Sequence, residues 1–181
     1  MKNIMLTAVA ILSMIIGCKS KNAVVDDTEP TKKQTVQRTM PEGRLLRLEY
    51  NFQGMRMEAF SNFDLNRTPG SVEGCKLSFR HYGSEMTFDV PDSLFDAARR
   101  IIEVEKIYEY ASHYSLPPEI AAGMLDGYRW DFFASFENKQ VISSSGRHAR
   151  PDGNGLREIR QLLEKAAQEC VEKSEKREEN R

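Results

Sequence analysis

Leu46-Arg47-Leu48-Glu49-Tyr50-Asn51-Phe52-Gln53-Gly54 decides the fold, because apolar and polar side chains alternate along it without a break. Leu46, Leu48, Tyr50 and Phe52 fall on one side and Arg47, Glu49, Asn51 and Gln53 on the other, which is the period of a strand with one face buried. Gly54 ends the run. A second strand is expected over Met55–Asn66, closed by the turn residues Thr68-Pro69-Gly70-Ser71. A third sets Cys75, Leu77 and Phe79 against Lys76, Ser78 and Arg80. After a turn at Tyr82-Gly83-Ser84, Met86, Phe88 and Val90 make a fourth. Four strands on short turns predict an antiparallel meander, since parallel neighbours need long crossovers.

At Val90-Pro91-Asp92-Ser93 the period changes. Leu94, Phe95, Ala98, Ile101, Ile102 and Tyr108 recur at helical spacing, with Pro91 and Asp92 at the start and Asp96 three places after Ser93. From Tyr110 to Gly127 no period is legible, and an unstructured loop of that length in a small domain is often functional. Tyr128, Trp130, Phe132, Ala134 and Phe136 alternate again. Asn138-Lys139 is the expected hairpin turn and Gln140 to Ser144 the return strand. Leu156, Ile159, Leu163, Ala166, Ala167 and Cys170 define a last helix, capped by Asn154. The fold class is α+β, an antiparallel sheet of about six strands with two amphipathic helices packed on it, in the order ββββαββα.

The 181-residue chain has 26 basic and 27 acidic residues. A near-neutral balance gives no electrostatic drive toward polyanions, so no nucleic acid is expected as a partner. His81, His113 and His148 are scattered, and neither Cys-x-x-Cys nor His-x-x-x-His occurs, so no metal and no cofactor is expected.

The N-terminus carries the address. Lys2 precedes Ile4–Ile16, an apolar stretch broken only by Thr7 and Ser13, and Ile15-Ile16-Gly17-Cys18 follows at its end. A span needs roughly 20 apolar residues, so this stretch is too short to stay in a bilayer and suits a secretory leader. Ile15-Ile16-Gly17-Cys18 resembles the lipobox of bacterial lipoproteins. That resemblance implies cleavage before Cys18, a diacylglycerol on its sulfur and a further fatty acid such as palmitate on its amine. It implies a mature protein held to the membrane by lipid. Lys19 stands where an Asp resembles an inner-membrane retention signal, which implies the outer membrane, facing periplasm or cell surface. Asp26-Asp27-Thr28-Glu29 is similar to a surface-export tag.

The expected organisation is a signal peptide over 1–17, an acylated Cys18 with a disordered tether over 18–42, one α+β domain over 43–171 and a fraying polar tail over 172–181. Between Lys19 and Glu42 there is no aromatic residue, and such composition does not bury enough apolar surface to order itself. A coil of that length reaches on the order of 25–30 Å.

In the last third, Asp126-Gly127-Tyr128-Arg129-Trp130, Ile142-Ser143-Ser144-Ser145-Gly146, Pro151 and Gly153-Asn154-Gly155-Leu156 with Ile159 resemble a pattern in uncharacterised small lipoproteins of Gram-negative bacteria. The resemblance brings no activity with it. Here Asn138-Lys139 stands where an Asp-Gly type turn is usual, and Arg147-His148-Ala149-Arg150 where a neutral segment is usual.

Arg147, His148 and Arg150 are the candidate ligand-binding residues, because arginine forks suit carboxylate or phosphate and the helix amides near Gly153–Gly155 favour an anion. A sugar acid, a phosphate or a peptide carboxylate would suit them; a solvated connecting loop is the plainer alternative. Phe133 is a fourth candidate, since alternation sets it opposite Trp130. Ser144 or Ser145, His148 and Asp152 supply triad residue types, but in one short segment and without a Gly-x-Ser-x-Gly elbow. Cys75 and Cys170 either form a disulfide or remain two separate buried thiols. The expected function is a non-enzymatic binding or assembly module that contacts an envelope protein or glycan. The alternative is a small periplasmic hydrolase, or an inhibitor of one, using the Ser143–Asp152 loop.

Overall fold

The computed structural model describes residues 38–54, 58–67, 74–121 and 127–180. The leader, Cys18, the acidic cluster and nearly all of the tether lie outside the described residues. Seven strands form one sheet: β1 (Leu45–Gln53), β2 (Phe60–Arg67), β3 (Cys75–His81), β4 (Ser84–Asp89), β5 (His113–Ser115), β6 (Arg129–Phe136) and β7 (Val141–Arg147), in the spatial order β4-β3-β2-β1-β6-β7-β5. Three helices accompany them: α1 (Ser93–Val104), a single turn α2 (Pro118–Ala121) and the long α3 (Gly155–Glu179). The meander β1 to β4 and the β6–β7 hairpin are antiparallel, as their short turns require. Tyr82 and Gly83 both take positive φ, at 45° and 87°, which makes a tight turn whose twist matches that of β3 and β4.

Two expectations about the sheet are corrected. It has seven strands and is mixed, because His113–Ser115 pairs in parallel with Ser145–Arg147 at the edge. The segment expected as a structureless loop therefore holds β5 and α2, elements of three and four residues that are too short to show a period. The inward alternation of β1 also starts at Leu45, 1% exposed, because the register shifts between Leu45 and Arg47. From Leu48 on, the face reads as the sequence predicts.

One face of the sheet is dry. Leu48, Tyr50, Leu65, Leu77, Phe79, Trp130, Phe132 and Ala134 share a single core with Phe95, Ala98 and Ile102 of α1 and Ile159, Leu163 and Ala167 of α3. The opposite face is polar, with Arg47 in a bidentate pair to Asp64 at 2.8 and 3.1 Å and Ser78 sharing a hydrogen bond with Thr87. An antiparallel sheet carrying helices on one side only needs this division.

Asp92 sits at the N-cap of α1 but its carboxylate does not cap. It accepts from Cys75 Sγ at 3.2 Å and pairs with Arg44 and Arg67, whose guanidinium lies 4.6 Å from the Phe95 ring centroid. The Arg67 hydrogen bond holds the Asp92 carboxyl below its usual 3.8. Cys75 and Cys170 are free thiols, the first buried on β3 and the second half-buried on α3.

Both boundaries of the domain move outward. Arg38 donates to the Tyr110 carbonyl at 2.8 Å, Met40 packs on the core and Pro41 is buried, so the packed domain starts before residue 43. The polar tail expected to fray continues α3 to Glu179. Gln168 donates to Glu172 one turn on, and Lys176 and Arg177 in the last turn complement the helix dipole.

Candidate ligand pocket

The basic loop after β7 does not act as one cluster. Alternation places Gly146 on the dry face against Trp130, and so sets Arg147 on the open polar face, where its cross-strand neighbour is Arg129. His148 takes a positive φ of 56° and its backbone donates to the Tyr128 carbonyl at 2.9 Å. A Cβ on Gly127 would fall 1.7 Å from His148 Cε1 and Nδ1, so the imidazole is pressed against that glycine. Arg150 alone of the three reaches the helix side of the sheet, where it lines a pocket of about 210 Å³.

The pocket is built from five parts of the chain. Tyr50 and Phe52 of β1, Trp130 of β6 and Tyr128 just before it supply aromatic walls, Tyr110 closes one side, and Arg150, Leu156, Arg157 and Arg160 rim it. The Phe52 and Tyr128 rings stack with centroids 6.1 Å apart, and Arg160 lies 4.6 Å over Phe52. Arg160 is already neutralised, by Glu58 at 2.8 Å and Glu164 at 2.7 Å. Arg150 and Arg157 are exposed and have no carboxylate partner among the described residues.

The start of α3, expected to favour an anion, is partly occupied by the protein's own acceptors. Asn154 N–H donates to Glu105 Oε2 at 3.4 Å, and the Tyr110 hydroxyl lies against Gly155, 2.7 Å from where a Cβ there would stand. One of the donors at the start of the helix is thus satisfied by the protein itself, and the Tyr110 hydroxyl crowds the next. Asn154 occupies the N-cap as expected, without a side-chain cap bond.

The floor is held rigidly. Trp130, 1% exposed, donates from Nε1 to the Ala149 carbonyl at 2.8 Å and so ties the loop carrying Arg150 to the core. Ser144, 2% exposed, donates to the Ala111 carbonyl at 2.6 Å and secures the segment that leads to β5. Burial pushes the Tyr50 phenol up to about 12 from its usual 10.0. Below pH 10 the hydroxyl is neutral in both folded and unfolded chains and its contribution is complete. Between pH 10 and 12 the unfolded chain ionises while the folded one resists, so stability is lost as pH rises through that window, by about 3 kcal/mol in all. Urea midpoints measured from pH 9 to 12 should fall more steeply in the wild type than in Tyr50→Phe. Parallel curves would show that Tyr50 is not the group responsible.

The triad types named from sequence do not meet. Ser144 is committed to Ala111, His148 to Gly127 and Tyr128, and Ser145 Oγ shares a 3.1 Å hydrogen bond with His113 instead. Phe133 lies opposite Trp130 as expected, between Glu49 and Ser143, but half-buried among its neighbours. Among the described residues no group of three metal-ligating side chains assembles and no helix is long and apolar enough to cross a membrane.

Tyr110, Tyr128 and Arg157 were not among the residues singled out from sequence. Arg157 had a detectable signal. A basic side chain in the first turn of a helix opposes the dipole, which favours acids there, so its position asks for another reason. Comparison with protein-family models, curated proteins and solved structures finds no match for this chain.

Proposed function

We propose that this chain is a lipid-anchored lipoprotein of the cell envelope, held to the outer membrane through Cys18 and acting as a non-enzymatic binding module for an envelope glycan or protein. The observation that carries the binding half is the pocket: aromatic walls, buried phenols and two arginines without carboxylate partners among the described residues converge on one concave site. Rigid aromatic surfaces with a few placed polar groups are the usual make-up of a binding site. The membrane half is supported by the leader and Cys18 alone.

The test is purification of the native acylated protein in mild detergent, beside a Tyr128→Ala variant that removes one pocket wall. Envelope material retained by the wild type should be lost from the variant while Trp130 fluorescence and thermal midpoint stay close to wild type. Retention of the same material by both would place binding elsewhere on the domain.

A further inference from the structure

We infer that the pocket takes a single sugar ring bearing a carboxylate, a hexuronate-type unit at the end of a glycan or as a free acid. The inference rests on the binding-module reading and narrows it to a ligand class. Size is the first argument. About 210 Å³ falls below the roughly 300–1,000 Å³ of sites for drug-sized ligands, so the occupant is about one ring in extent. Its walls are the second. Phe52 and Tyr128 offer aromatic surface for the ring's carbon face over the buried Trp130, while the Tyr50 hydroxyl, 3% exposed as a residue and without a hydrogen bond among the described residues, is left to meet a hydroxylated ligand.

Charge is the third argument. Arg160 is balanced by Glu58 and Glu164, whereas Arg150 and Arg157 meet no carboxylate among the described residues, so the rim as described favours an anion. Guanidinium forks match a planar carboxylate. A phosphate would gain most from the first amides of α3, but Asn154 already donates to Glu105, the Tyr110 hydroxyl crowds Gly155, and the Glu105 carboxylate would repel a dianion there. A monoanion on a ring avoids that clash. The loop carrying Arg150 is anchored by the Trp130–Ala149 bond, so little ordering is needed when a ligand arrives.

Trp130 is the chain's single tryptophan and lines the pocket, so its fluorescence reports occupancy in the full chain. Titration with D-glucuronate should change that emission to saturation, whereas D-glucose, inorganic phosphate and benzoate should leave it nearly flat. Arg150→Gln and Arg157→Gln should each weaken glucuronate by about ten-fold or more, as loss of a charge-assisted hydrogen bond predicts. Arg147→Gln, on the open face, should leave the affinity unchanged. All three side chains are exposed, which keeps the variants foldable. Equal responses to glucose or benzoate would overturn the sugar-acid assignment while leaving the pocket a binding site. A flat response to every probe would overturn the assignment, and if Tyr128→Ala also kept its envelope partners the pocket reading would fall with it.

Discussion

Gly146→Ala is expected to cost about 3–5 kcal/mol, enough to leave the domain barely folded at physiological temperature. The reason is space. A Cβ at this position would lie 2.4 Å from the Ala149 carbonyl oxygen, 2.4 Å from Trp130 Nε1 and 2.6 Å from Trp130 Cε2. One of these is backbone and the others belong to the largest buried ring in the core. Relief therefore requires either moving the indole or breaking its bond to Ala149. Overpacking alone costs about 1–3 kcal/mol, and a buried donor left without a partner adds about 1–3 kcal/mol.

Against a total stability of about 5–15 kcal/mol, that is a large fraction. The thermal midpoint should drop by roughly 10–20 °C for a domain of this size. Gly153→Ala supplies the contrast. Its φ of 98° strains any side chain, yet nothing lies within 4 Å, so the cost should be only about 1 kcal/mol. A Gly146→Ala protein melting within about 2 °C of wild type, or below which Gly153→Ala falls, would show that Trp130 can move without penalty.

The same pair of residues shows what could be read in advance. Alternation along Leu48–Phe52 and Tyr128–Phe136 sets the dry face correctly, because a buried face leaves a period-two signal in every residue of the strand. The turn at Asn138-Lys139 was equally legible: Asn138 Oδ1 accepts from Gln140 N–H and Lys139 takes a φ of 65°. What was not legible depends on pairing across long sequence distance. β5 exists because Ser112 and Ser145, 33 positions apart, bring their backbones together, and three residues carry no pattern of their own. The bulge near Leu46 is likewise set by its partner strand β6.

The site failed to show for a related reason. Arg147, His148 and Arg150 are neighbours in sequence, but a strand end, a left-handed turn and a loop send them to three different places. Adjacency along the chain is a poor guide at the end of a strand, where one residue of register exchanges one face for the other. Phe52, Tyr110, Tyr128 and Arg157, from four separate segments, meet instead. Their types were visible in the sequence, but their convergence depends on how β1 and β6 pair and on where α3 begins.

Cys18→Ser is expected to move essentially all of the protein from the membrane fraction to the soluble one. On the proposed anchoring, lipid is what holds the mature chain to the bilayer. No described helix is apolar and long enough to span it, and removal of residues 1–17 takes away only Lys2, which leaves 26 − 1 = 25 basic against 27 acidic residues. A chain of that balance gains nothing from anionic headgroups, where each excess basic residue contributes about 1 kcal/mol. Acyl chains contribute about 0.8 kcal/mol per buried methylene, so a single chain binds marginally and two or more bind stably. High salt should therefore leave the wild type on the membrane and detergent should release it, while Cys18→Ser needs neither. Mass spectrometry should find the wild-type chain starting at Cys18 with fatty acid attached. A Cys18→Ser protein that still sediments with membranes, or a wild-type terminus without acyl groups, would overturn lipid anchoring and leave the pocket to be explained in a freely diffusing protein.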